Sequence, residues 1–144
     1  MKHVLVVGAF VSALALPVSL FAQTSAPAAG AALGSVTLKT AVMANGQRLA
    51  AGTYQVRLTG DSPKPGVGQS PESERYVEFV RGGKVVAREV ATVVSQADVK
   101  EISEGPQPRA GGSRVDTLKG NDYVRVWINR AGMNYILHLP AGTS

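Results

Sequence analysis

Side chains able to do chemistry are scarce in this chain. There are two histidines, His3 and His138, and no cysteine among 144 residues. A serine nucleophile needs a base within hydrogen-bond reach. His3 lies in an N-terminal segment expected to be cleaved, so His138 is the imidazole left to serve. Ser70 sits in Gly68-Gln69-Ser70-Pro71-Glu72, which lacks the second glycine of a Gly-x-Ser-x-Gly elbow and lies in a proline-rich stretch. Gly66-Val67-Gly68 is not followed by the third glycine of a dinucleotide loop. Zinc needs several Cys, His or carboxylate ligands and calcium a cluster of oxygens. The acids are instead scattered, with Glu72/Glu74 and Glu101/Glu104 the close pairs. The sequence therefore predicts a non-enzyme with no cofactor and no metal. The alternative is a small hydrolase built on His138 and a loop serine or carboxylate.

A binding patch is easier to assemble. Pairing Asn129 with Asn134 in a hairpin sets Val124, Val126 and Ile128 opposite Leu139, Leu137 and Tyr135, one continuous apolar face. The opposite face then carries Tyr123, Arg125, Trp127 and Asn129 beside Asn134, Ile136 and His138. An exposed Trp next to Arg and His can anchor a protein or stack on a sugar. Tyr123, Arg125, Trp127 and His138 are accordingly the candidate binding residues. The competing reading has Trp127 and Ile136 covered by a second sheet or by a long loop.

The elements that position these groups read as strands. Val36, Leu38, Thr40 and Val42 alternate with smaller or polar residues, and Thr53–Thr59 alternates again with Tyr54, Val56 and Leu58 inward. Asn45-Gly46 suits a tight hairpin turn. Segments 74–81 and 84–94 flank Gly82-Gly83 as two Val-rich arms. Val77, Phe79, Val86 and Val90 make one candidate inner face of that pair; Tyr76, Val80, Val85 and Ala91 make the other. Ser113–Lys119 is a weaker strand, turned at Gly120-Asn121. Ser95-Gln96-Ala97-Asp98 resembles a capping box, with Val99 and Ile102 on one side of a short helix. The expected fold is all-β: a single antiparallel β-sandwich, or alternatively a small β-barrel, of about seven strands with one short helix. Loops 60–73 and 104–112 hold most of the prolines and emerge at the same end if successive strands are antiparallel. Loops of this length are functional or mobile, and a secreted effector or inhibitor that binds through them is a further alternative.

Leu49-Ala50-Ala51-Gly52-Thr53-Tyr54-Gln55-Val56-Arg57-Leu58 resembles the Leu-Pro-x-Gly-x-Tyr entry into a strand of transthyretin-like and carboxypeptidase-regulatory-like β-sandwich modules of bacterial envelope proteins, with alanine at the proline position. The resemblance implies a sandwich and a non-catalytic accessory role, and it transfers no active-site residue. The chain as a whole is also similar to small exported bacterial proteins.

Export is the expectation from the first residues. Met1-Lys2-His3 is a basic start, Val4–Leu16 runs without charge, and Ser19-Leu20-Phe21-Ala22 follows Pro17, the order of a secretory signal peptide. The apolar run is shorter than the roughly 20 residues a membrane-crossing helix needs. Cleavage is expected after Ala22, or alternatively Ala26, giving a signal peptide over 1–22, a disordered Ala/Pro/Gly-rich tail over 23–34 and a β-sandwich domain over 35–140. The location is then periplasmic or extracellular, with no membrane span after signal removal. Losing Lys2 lowers the formal charge from +5 to +4, and the basic residues are interspersed with acids. Nucleic-acid binding, which wants a basic stripe, is not expected; an envelope protein or glycan is.

Overall fold

A computed structural model describes residues 30–102 and 105–142. The signal peptide read over 1–22 and most of the tail read over 23–34 lie outside the described residues. Among the described residues nine strands form: β1 (Ala32–Leu38), β2 (Val42–Ala44), β3 (Gln47–Leu49), β4 (Gly52–Leu58), β5 (Glu74–Arg81), β6 (Lys84–Ser95), β7 (Ser113–Thr117), β8 (Tyr123–Arg130) and β9 (Met133–Pro140). One short helix, α1 (Val99–Ile102), stands between β6 and β7. Strand β1 starts inside the segment expected to be tail. Leu33 is the reason: its side chain is fully buried in the core, and Gly30 and Ala31 already exchange backbone hydrogen bonds with Leu58.

Seven strands make one antiparallel sheet in the order β1-β4-β5-β6-β9-β8-β7. The sheet curls until β1 touches β7 and β8, and Ser113 Oγ donates to the Ser35 carbonyl at 2.9 Å. The all-β class is as expected, as is the single short helix among the described residues; the main sheet has the expected seven strands, and the β2–β3 hairpin adds two. Of the sandwich and the barrel, the sheet takes the second arrangement and is nearly closed around its own core. A β-bulge between Phe79 and Val80 adds local twist to the β5–β6 pair, and it also resolves which face of that pair is buried. Val77 and Phe79 face inward with Ala87 and Ala91, while the extra residue lets Val86 pack against the same core. A strict alternation would have placed Ala91 on the other side.

β6 and β9 pair only along Thr92–Ser95 and Met133–Ile136. The β2–β3 hairpin lies against both strands beyond that point, turned by Asn45 and Gly46 at φ 45° and 79°. Val42 bridges Ala141, the Asn45 N–H donates to Glu89 Oε2 at 2.7 Å, and Val42, Ala44 and Leu49 are buried. The hairpin thus completes the wall at one end of the barrel. The other end is where β5 begins, where β6 and β8 finish, and where residues 60–73 and 105–112 attach. The interior is filled by Val, Leu, Ile, Phe79, Tyr54 and Tyr135. The outer face carries ion pairs, Arg57–Glu78 at 2.7 Å and Arg114–Asp116 at 2.8 Å among them, which is the reverse of a barrel whose outside faces lipid.

Candidate functional site

The outer face of β7, β8 and β9 is where the sequence places its binding patch. The β8–β9 register is the expected one, Asn129 opposite Asn134, and it sets Tyr123, Arg125, Trp127 and His138 on one face. The four differ in access. Tyr123 and His138 are exposed and Arg125 is half-buried, but Trp127 is fully buried. Residues 96–102 fold back over the sheet and cover it, with Pro108 buried alongside. Val99 of α1 packs with Val94, Trp127 and Ile136 in a cluster separate from the main core.

Polar contacts tie this strap down. Trp127 Nε1 donates to Asn134 Oδ1 at 2.8 Å, Gln96 Oε1 accepts from Asn134 Nδ2 at 3.0 Å and from Asn129 Nδ2 at 3.1 Å, and Asn129 Nδ2 also reaches the Pro108 carbonyl at 3.2 Å. Ser95 and Asp98 cap α1 as the sequence suggests, with the Asp98 N–H donating to Ser95 Oγ at 3.2 Å. Ile102, expected beside Val99, is instead 62% exposed, because the helix is a single turn whose inner side is used up by Val99. Trp127 is therefore not available to stack on a partner.

The remaining polar groups of this face serve one another. Asp116 takes Arg114 at 2.8 Å and Arg125 at 3.4 Å. The hydrogen bond from Arg114 holds its carboxyl below the usual aspartate range, against the opposing effect of burial and with help from Arg125. The Arg125 guanidinium also lies 5.4 Å from the Trp127 ring centroid. His138, directly opposite Arg125 across the hairpin, has its pKa lowered by partial loss of solvent and then by the Arg125 charge. Its cross-strand partner is a cation, so the arrangement does not supply the acid that orients a catalytic imidazole.

At the loop end of the barrel the structure forms a cleft of about 240 Å³ lined by Glu72, Arg75, Val93, Met133 and Tyr135. Sequence reasoning did not find these residues. Arg75 is one inward position before Val77 on β5, opposite Ala91, so its guanidinium stands on the core side of the sheet where the apolar row runs out. Its Nη2 donates to the Thr59 carbonyl at 3.2 Å, while Nε is buried without a hydrogen-bond partner among the described residues. Tyr135, paired with Val93 on β6 and with Ile128 on β8, brings a buried ring to the cleft floor. Burial raises the pKa of its phenol, and the positive charge of Arg75 works in the opposite sense. The signal that could have revealed this site is the alternation of β5. Once Val77 and Phe79 are placed inside, Arg75 is a charge on the core-facing row.

Among the described residues no group of three or more His, Cys, Asp or Glu side chains is placed to hold a metal ion, and no helix is long and apolar enough to cross a membrane. Comparison with protein-family profiles, curated proteins and solved structures gives no match to this chain.

Proposed function

We propose that this chain is an exported, non-enzymatic binding module of the bacterial cell envelope, and that it holds a protein or glycan partner at the loop end of its barrel. The observation that carries the reading is the cleft: one end of the barrel wall is completed by the β2–β3 hairpin, whereas the other keeps a concave site with a guanidinium and a phenol beside Val93 and Met133. Concave, mostly apolar sites with a few convergent polar groups are the common form of a binding site. The secretory character of residues 1–22 supports the envelope as the setting.

The test is recovery of partners from the envelope fraction with the tagged mature chain. The expected result is a partner whose capture is lost when Met133→Trp fills the cleft while the melting temperature changes little, and is kept when residues 62–71 are deleted. Turnover of an envelope-derived substrate that disappears in His138→Ala would replace this reading with the hydrolase.

A second reading has one observation in its favour. Val67 is fully exposed at the tip of loop 60–73, between Gly66 and Gly68 and beyond Pro63 and Pro65. An apolar tip on a proline-stiffened loop suits insertion into a partner's cleft, as an inhibitor would do. Loop 104–112 is less suited, since Pro108 is buried against the sheet. Val67→Asp separates the two: it abolishes capture if the tip is the plug and leaves it intact if the cleft is the site.

A further inference from the structure

Resting on the binding-module reading, we propose that the cleft receives a carboxylate joined to a short apolar side chain, as at the C-terminus of a peptide, with Arg75 and Tyr135 holding the carboxylate and Val93 and Met133 covering the side chain.

Arg75 stands half-buried at the end of the core-facing row. A charged group brought to the inner face of a sheet is costly unless it is paired. Here the guanidinium has a single carbonyl contact, to Thr59, and a buried Nε–H with no acceptor among the described residues. The guanidinium fork matches the two oxygens of a carboxylate, so a carboxylate suits this position in shape as well as in charge. Tyr135 adds a neutral O–H donor on the same cleft, kept protonated by its surroundings across the physiological range.

Size and lining narrow the ligand further. About 240 Å³ lies below the roughly 300–1,000 Å³ of sites that enclose a whole drug-sized ligand, so one terminal residue fits the site better than a large molecule. Val93 and Met133 offer contact to an aliphatic chain, and methionine adapts to differing shapes. The rings of Trp127 and Tyr135 are both buried, so neither offers a face on which a sugar could stack. Glu72 also lines the cleft. Its negative charge disfavours a dianion such as phosphate and leaves an acceptor for the last peptide N–H.

The isotopically labelled mature chain is titrated with four probes: N-acetyl-Gly-Leu with a free C-terminus, the same dipeptide as its C-terminal amide, isocaproate, and inorganic phosphate. Chemical shifts are followed at Val93, Met133, Tyr135 and the Arg75 Nε–H. The expected result is binding of the free-acid dipeptide with shifts confined to those positions, and little or no binding of the amide or of phosphate. Isocaproate binding as well as the dipeptide would assign the site to free acids; weaker binding would assign it to peptide ends. Arg75→Gln is expected to weaken the acid by about tenfold to a hundredfold, the range for losing a charge-assisted hydrogen bond, with partial rescue in Arg75→Lys. Tyr135→Phe, which removes no charge and keeps the packing, should weaken it severalfold and covers the case in which Arg75 variants fail to fold. Equal binding of acid and amide, binding of phosphate alone, no binding at all, or a folded Arg75→Gln with unchanged affinity each overturns the proposal. Continued capture of a partner through the loop end in any of those cases leaves the binding-module reading standing, so the two failures are distinguishable.

Discussion

Asn134 joins Trp127 to Gln96, sharing the Gln96 oxygen with Asn129 and alone accepting from the indole. Its amide accepts from Trp127 Nε1 and donates to Gln96 Oε1, at 2.8 and 3.0 Å, and the residue is fully buried. Asn134→Ala leaves the indole N–H without an acceptor in a dry site, and it is expected to cost about 1–3 kcal/mol in a urea titration. Gln96→Ala should cost less, because Gln96 is exposed and water can take its place. Trp127 fluorescence reports the same contacts: emission is expected to be blue-shifted and quencher-protected in the native chain, and to move to the red in Asn134→Ala before global unfolding. His138 gives a second residue-scale test. Its folded pKa lies below 6.5, with loss of solvent the larger cause and the Arg125 charge the smaller. The folded state therefore binds fewer protons than the unfolded one, so this group's contribution to stability is present above about pH 6.5 and is lost as pH falls through the folded value. Nuclear magnetic resonance titration of the imidazole should show a midpoint below the usual histidine value, and Arg125→Gln should raise it only part of the way back.

At the scale of elements, the Leu49–Leu58 segment shows what a short motif contributes. Gly52 has φ 152°, and a Cβ there would stand 3.1 Å from Arg81 Nη1. Arg81 is held over the Tyr54 ring at 5.4 Å, and the Tyr54 hydroxyl donates back to the Ala50 carbonyl at 2.6 Å. Gly52→Ala is expected to destabilise by about 1–3 kcal/mol through backbone strain. The Arg81→Ala background should recover little of it, because a guanidinium is flexible enough to step aside; full recovery would show that the clash, not φ, is the cost. Strands of this kind were legible in the sequence. Tyr54, Val56 and Leu58 alternate without interruption, and the β8–β9 register follows from a single match of apolar faces. The β5–β6 face was not legible, since a bulge near Phe79 shifts the alternation of β6 and leaves no mark in composition. The strap over Trp127 was half legible. Ser95 and Asp98 announce a cap, but nothing in the chain says that the turn after it lies across β8. Arg75 was missed for the same reason as the bulge, because a charge marks a site only after its face is known.

The molecule as a whole is held by a closure that short-range pattern cannot encode. A sandwich and a barrel use the same alternating strands and differ in whether β1 meets β7, a contact between segments about eighty residues apart in the chain. The seam is thinner than the rest of the sheet. β5 is flanked by hydrogen-bonded neighbours on both sides and β9 by β6 and β8, whereas β1 and β7 each pair with one strand in the sheet and meet across a serine hydroxyl. Stability in such a structure is not uniform, and amides at a weak edge exchange through local opening instead of global unfolding. Hydrogen exchange should therefore rank the strands, with β7 and the outer amides of β1 exchanging first and the central pairs of β5 and β9 near the global limit. Ser113→Ala removes the hydroxyl at the seam and is expected to lower global stability by about 0.5–1.5 kcal/mol, with a larger acceleration of exchange in β7 than in β5. Equal protection of β7 and β9 in the native chain would mean that the barrel is sealed by more than this contact, and that its loop end is as rigid as its wall.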